Sequence, residues 1–419
     1  MTRNAWDTSR AARVVWLLVL LFVSCSRTET PSSPTVPELE DEPDLRIGVL
    51  VGADRVVISG QGRFAVIAGG DVLARASGET DYTVVPDGRG VMLSGGPADG
   101  RYERLTFVSL DESRFVEVDG RSYRGIVEAY PIGGALTVVN ELPIESYLAG
   151  VVNAEMGRRA REEQAAVEAQ AIVARTYALK NRGKNGASGF DLRASVADQA
   201  YGGLGAETDA GRAAVGATAG KVLTHRGALV STFFHSTCGG STAAPTEAFR
   251  TVQSTPYLQP VSDRHGSGYY CDISPRYRWT VEWDAETLRR ILRRTLPAVL
   301  GIDDASVDEV LDVRVHRTGP SERATEVRVV VGRGDIPVYG PDVRRVFETP
   351  DGRMLGSTAL RFDTEARDGR LHRLTASGRG WGHGVGMCQW GAVGRARAGQ
   401  DAETIVTTYF PGTRVERWY

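Results

Sequence analysis

The first residue whose type and position suggest chemistry is Glu155. From Pro143 onward, Ile144, Tyr147, Leu148, Val151, Val152 and Met156 fall at offsets 0, 3, 4, 7, 8 and 12, the stripe of an amphipathic helix. Glu155 stands at offset 11, on that stripe and not on the solvated face. A carboxyl among Val151, Val152 and Met156 is poorly solvated, and desolvation raises its pKa. A raised pKa keeps a general acid protonated at neutral pH. The competing expectation is a frayed helix end that lets Glu155 reach water.

A second set lies further on. His235 and Cys238, with His265 and Cys271, read as H-x2-C-x26-H-x5-C. Two His and two Cys suffice for a tetrahedral zinc ion. A Cys238–Cys271 disulfide is equally natural in an exported protein and would leave Cys388 over. Both readings stay open, and His235 has a further option in a catalytic cleft. Ser236 adjoins His235, but no G-x-S-x-G is present and no orienting partner is evident, which argues against a serine hydrolase. The third set is the glycine-dense run from Gly378 to Ala392. A dinucleotide site is a poor reading of it, because only 28 residues follow Gly391 here, too few to complete a nucleotide domain. Alternating glycines would let backbone approach a flat ligand, with Trp381 and Trp390 against sugar rings. The alternative is a tight structural loop.

These residues need elements to hold them. Pro143 suits a first helical turn and Glu145 the positive end of the helix that follows. A second helix is expected from about Arg158 to Lys180, Ala-rich in its middle and interrupted by Gln170 and Arg175. A third is expected over Glu207–Thr218, then a strand over Val222–Phe234. Beyond Cys271, the pattern gives a strand at Trp279–Trp283 and a helix near Ala285–Arg294. Strands follow around Val310–Val315, Glu326–Val331 and Leu360–Phe362, and a last helix comes after the glycine run. Before Tyr123, apolar clusters such as Val56–Ile58, Phe64–Ile67 and Val91–Leu93 recur between turn residues, the rhythm of a small all-β unit.

The chain of 419 residues carries Lys+Arg 50 against Asp+Glu 52, so no basic excess exists for nucleic acid, and none is expected as a partner. With 42% hydrophobic and 24% charged residues it is neither a disordered chain nor a many-spanning membrane protein. Arg3, Arg10 and Arg13 precede an apolar run over Val14–Val23, which is short for a bilayer span and fits an export signal. The segment ending at Cys25 resembles a bacterial lipobox, with Phe22 where Leu is usual. That resemblance implies cleavage before Cys25, lipidation of its thiol and attachment to an envelope membrane. Residues 26–44, rich in Ser, Thr, Pro and Glu, read as a tether.

Taken together, the motifs resemble the stage II sporulation protein D / LytB amidase-enhancer (SpoIID/LytB) family. They are Asn140-Glu141-Leu142-Pro143-Ile144-Glu145-Ser146-Tyr147-Leu148, Glu155-Met156, Ala169-Gln170-Ala171 through Arg175-Thr176-Tyr177, Phe234-His235-Ser236-Thr237, Gly382-His383-Gly384-Val385-Gly386-Met387, Gln389-Trp390-Gly391-Ala392 and Tyr409-Phe410-Pro411-Gly412. The resemblance covers about Ser122 to Trp418. Gly157 follows Glu155-Met156 where Pro is usual, and Cys388 replaces a common Ser. The expected fold is α+β: a signal over 1–25, a linker over 26–44, a small β domain over 45–123 and a family-like domain over 124–419. The last divides into a helical catalytic half, 124–275, and a β-rich half, 276–419. The resemblance implies a peptidoglycan lytic transglycosylase that cuts MurNAc–GlcNAc bonds with Glu155 as acid and base, in wall remodelling or sporulation. Gln170, Arg175, Tyr177 and His383 are further candidates for lining the cleft, with a buried structural hydrogen bond as the alternative for each, and His235, Ser236, Gln389 and Trp390 join them as candidate substrate contacts. The resemblance also implies that some relatives hold zinc with a mixed His/Cys set. The other role known in the family is a wall-binding modifier that stimulates an amidase without cutting glycan.

Overall fold

The computed structural model describes residues 41–250, 253–302, 307, 309–367 and 369–419. Cys25, the export segment and most of the tether lie outside the described residues. The fold is α+β, with strands before residue 144 and mixed elements after it.

Two sheets form the N-terminal part. One has seven strands in the order Leu192–Arg193, Asp44–Ala53, Ala135–Pro143, Ile126–Ile132, Leu105–Ser109, Phe64–Ala68 and Asp71–Ala76. The other has six, Arg121–Tyr123, Val116–Val118, Val56–Gly60, Tyr82–Asp87, Gly90–Ser94 and Gly100–Tyr102. Alternation sets the faces: in Val56–Gly60 every second residue is buried. Ala135–Pro143 differs, with a run of five buried residues, because it is central in its sheet and leads directly into helix α1 (Ile144–Met156). Strand Asp44–Ala53 pairs with it antiparallel over its whole length, Asp44 opposite Pro143 and Ala53 opposite Leu136. Strands on both sides of residue 123 therefore share one sheet, and its core runs on into α1 through Ile144, Tyr147, Leu148, Val151 and Val152.

The expected second helix begins later than the sequence suggests. Residues 158–160 are irregular, a short 3-10 turn covers Arg161–Glu163, and α2 runs Gln164–Lys180. Its middle is buried all round, from Ala169 to Thr176, because cores flank it on both sides. Helix α3 (Asp209–Ala217) is capped by Thr208, whose hydroxyl accepts from the Gly211 amide. The strand expected over 222–234 is in fact broken: Lys221–His225 and Ala228–Leu229 are joined by a turn in which Arg226 has φ +53, and Phe234 opens a separate short strand, Phe234–His235.

After α4 (Pro245–Ala248), a module with its own core occupies 278–379. It contains strand Arg278–Asp284, α5 (Ala285–Leu300), the sheet Val310–Thr318, Ala324–Val331 and Gly334–Tyr339, α6 (Gly340–Val346) and the hairpin Leu360–Arg367 and Arg370–Arg379. Its first and last strands are antiparallel neighbours, with Arg278 opposite Arg379. The chain then returns to the middle core through α7 (Gln389–Arg397) and α8 (Ala402–Tyr409).

Candidate active site and thiol cluster

Helix α1 holds Glu155 one residue before its end. The helix closes on Gly157, whose amide donates to the Asn153 carbonyl at 2.8 Å, so the last turn is formed and not frayed. Glu155 is half-buried, and its Oε1 accepts from the Ala200 amide at 2.6 Å. Burial raises its pKa above the ordinary carboxyl value, against the opposing pull of the Ala200 amide and the Gln389 side chain. The loop that supplies Ala200 is tied to the same helix. Tyr201 packs against Gly150, where an added Cβ would come within 2.6 Å of its ring. Gly202 donates to the Gly150 carbonyl at 3.2 Å.

Three more expected residues gather here. Gln389, the first residue of α7, stands near enough to Glu155 to pull its pKa down, and donates to Gln170 Oε1 on α2 at 3.4 Å. Gln170 is fully buried, and its Nε2 is without a partner among the described residues. Trp390 follows on α7 beneath the Arg159 guanidinium, 4.4 Å from the ring centre. Just past α1, a hollow of about 380 Å³ opens between Arg158, Arg159 and the Glu207–Arg212 segment.

The remaining expected contacts have other partners. Arg175 is fully buried and grips Glu145 with two hydrogen bonds, Nε at 2.8 Å and Nη2 at 2.6 Å. Glu145 also accepts from Tyr419 and from the Gly220 amide, and these partners hold its carboxyl below its ordinary pKa against its desolvation. Tyr177 donates to Asp198 at 3.0 Å, at the foot of the loop that carries Ala200. His235 and His383 lie 5.5 Å apart in a cluster with Phe233 and Phe249. Burial depresses both imidazoles, His383 to about 4. The Ser236 carbonyl accepts from the Trp390 amide at 3.0 Å.

The glycine run approaches protein rather than open space. A Cβ on Gly384 would strike the Arg323 guanidinium at 2.6 Å, and one on Gly386 the Phe233 carbonyl at 2.1 Å. Met387 and Cys388 pair in parallel with Phe234 and His235. These glycines serve the structural-loop alternative.

The four residues expected to hold zinc do not come together. Cys238 and Cys271 meet, with sulfurs 3.4 Å apart and both thiols free, so no disulfide joins them. Their companions are Cys388 and Asp263, and the four potential ligand atoms lie within 4.8 Å of one another, all buried. His265 is exposed and stacks on Tyr270, while His235 Nδ1 faces the Val385 carbonyl. The sequence reading took the nearest histidines in the chain and missed Cys388, 117 positions beyond Cys271, and an aspartate without a motif. A buried trio of thiols with a carboxylate is a donor set that fits a thiophilic cation. Hydrogen bonds from the Cys238 and Cys388 thiols draw the Cys271 pKa down to about 3, whereas desolvation pushes Asp263 up to about 7.

The α+β scaffold thus holds a half-buried acid at a helix end near a glutamine pair, and comparison with known proteins gives the family. The stage II sporulation protein (SpoIID) family model matches residues 133–225, and the model of a domain of unknown function (DUF8618) matches 253–386. An uncharacterised protein of Brachyspira hyodysenteriae is 30% identical over 300 residues, 71% of this chain and 73% of that one. The stage II sporulation protein D of Bacillus subtilis is 29% identical over 292 residues, 66% of this chain and 75% of its own. The Bacillus subtilis amidase enhancer is 28% identical over 345 residues, and the match takes in 75% of this chain but 47% of the enhancer, about half its length. The chain belongs to the SpoIID family.

Proposed function

We propose that the chain is a lytic transglycosylase of peptidoglycan glycan strands, with Glu155 as its acid and base. The observation that carries this reading is the Glu155 carboxyl: half-buried, raised in pKa and fixed at Oε1 by the Ala200 amide. Protonated Glu155 gives its proton to the glycosidic oxygen as the C1–O bond of MurNAc breaks. The carboxylate then takes the proton of the same sugar's C6 hydroxyl while O6 bonds to C1. A 1,6-anhydro end results, no water is consumed, and one carboxyl serves both steps. Gln170 and Gln389 orient the acid, and Trp390 with Arg159 offers a stacking face to a sugar ring. Arg158 and Arg159 in the adjoining hollow suit the carboxylates of muramic acid and stem peptide. Export, and attachment through Cys25 to an envelope membrane, put the site where its polymer is. Zinc enters this reading as a structural ion on Cys238, Asp263, Cys271 and Cys388.

The relative named amidase enhancer supports a second reading, a binder that stimulates a separate amidase. Purified glycan strands, with and without stem peptides, separate the two. Wild-type protein is expected to yield anhydro-MurNAc ends by mass spectrometry, and Glu155→Gln to lower the yield roughly 10²–10⁴-fold, the usual contribution of a general acid. Amidase stimulation with no anhydro product from either substrate supports the binder. Equal product from wild type and Glu155→Gln removes Glu155 from the chemistry.

A further inference from the structure

The cysteines come from three separate stretches of chain. Cys238 follows the Phe234–His235 strand, Cys271 closes the turn before the module, and Cys388 caps α7 after the module has ended. Asp263 stands on the same side as Cys271. The 278–379 module is thus inserted between two members of one cluster.

The spacing of the group has the size of a coordination sphere. Sulfurs at ~2.3 Å and an oxygen at ~2.0 Å from a tetrahedral zinc stand roughly 3.5–3.8 Å from one another. Here Cys238 Sγ is 3.4 Å from Cys271 Sγ and 3.6 Å from Asp263 Oδ2. The third sulfur is already set as an acceptor: the amides of Cys238 and Gly391 point at Cys388 Sγ from 3.1 and 3.2 Å. The other carboxylate oxygen, Asp263 Oδ1, accepts from Tyr409 Oη at 2.7 Å and from Arg395 Nη2 at 3.2 Å. Partners of this kind orient a carboxylate ligand.

Charge points the same way. Arg323, 1% exposed, donates from Nη2 to the Cys238 carbonyl at 2.7 Å, while its Nε and Nη1 have no partner among the described residues. Glu247 acts on it only from beyond ion-pair distance, and a buried guanidinium without a close counter-ion is strongly unfavourable. Zinc with three thiolates and a carboxylate carries two surplus negative charges, and Arg323 and Arg395 supply two positive ones beside them.

We propose that Cys238, Asp263, Cys271 and Cys388 form a closed Zn²⁺ site that clamps the base of the 278–379 module, its charge balanced by buried Arg323 and Arg395. Four protein ligands leave no open position, so the ion is structural. The inference rests on the zinc assignment above and is independent of the glycan chemistry.

The test uses the full chain in detergent, purified without added metal. Elemental analysis is expected to find about one zinc per chain. Cobalt added to chelator-stripped protein should give a thiolate-to-metal charge-transfer band and the intense visible bands of a tetrahedral ion. Stripping should speed amide exchange at 237–240, 263–271 and 387–397 and leave α1 protected. Arg395→Met should weaken zinc roughly 10–100-fold in a chelator competition, the usual effect of removing a partner that orients a ligand, and Arg395→Lys should recover part of it. Cobalt without the charge-transfer band, or a Cys238–Cys271 disulfide in place of metal, overturns both zinc and clamp. Bound zinc whose removal leaves exchange at those segments unchanged overturns the clamp alone.

Discussion

At the scale of single residues, Glu155 was legible because one helical stripe sufficed to place it: offset 11 already put a carboxylate against apolar neighbours. Its partners were not legible from spacing, since Ala200 acts through its amide and any residue type could stand there. The raised pKa has a consequence for stability. A group whose folded pKa lies above its unfolded value contributes fully below the unfolded value, and that contribution is lost as pH rises through the folded one. Ionised Glu155 therefore weakens the native state at neutral and higher pH. Glu155→Gln, which is always neutral, should raise the melting temperature relative to wild type at pH 7–8, and the gain should shrink toward pH 4. Thermal unfolding at a series of pH values reads this directly. A difference that is the same at every pH would leave the carboxyl with an ordinary pKa.

At the scale of elements, α1 is held at its start by chemistry that the motif alone did not reveal. Of the two expectations for Arg175, a place in the cleft or a buried structural bond, the structure has the second: its guanidinium bonds Glu145 and the Lys221 carbonyl, 3.0 Å from Nη1. The signal was present in part, since an arginine inside an otherwise buried, Ala-rich helix needs a counter-charge, and Glu145 in the first turn of α1 was available. Arg175→Met leaves Glu145 without its partner and should cost about 3–5 kcal/mol, the usual loss for a broken buried pair. Denaturant unfolding measures it, and the surviving folded protein should keep an unchanged KM for glycan. A large rise in KM at normal stability would return Arg175 to the substrate. The lowered pKa of Glu145 adds a pH signature. Its contribution is present above the unfolded carboxyl pKa and fades as pH falls through the folded value, so wild type and variant should converge in acid. The elements least visible in the sequence were the strand Arg370–Arg379 and helix α6. The strand buries only Leu371, Leu374 and Ala376 amid charged residues, and its regularity comes from pairing on both sides.

At the scale of the whole molecule, the β elements before residue 123 looked self-contained because their turn rhythm is. Long-range pairing is invisible to periodicity, and strand Asp44–Ala53 lies beside Ala135–Pro143, the strand that feeds α1. Leu45 and Ile47 from the first strand share a core with Val151 and Val152. A protein starting at residue 124 would expose the edge of Ala135–Pro143 and lose that burial, so it should be found mainly as aggregate, whereas one starting at residue 41 should elute as a folded species. Size-exclusion chromatography with circular dichroism distinguishes them, and a soluble, cooperatively melting 124–419 fragment would show that the sheet is dispensable.

The inserted lobe leaves and re-enters through a single facing pair, Arg278 and Arg379. Growth or shrinkage beyond that doorway need not disturb the residues around Glu155. Among what the lobe sends back are the Arg323 guanidinium, reaching the Cys238 carbonyl, the Ser321 amide and hydroxyl, donating to Glu247, and the Gly356 carbonyl, accepting from the Gly382 amide. A lineage could exchange much of this appendage for another and keep the half that carries Glu155, provided the replacement returned a cation to the same sulfur-rich spot and a partner to Glu247.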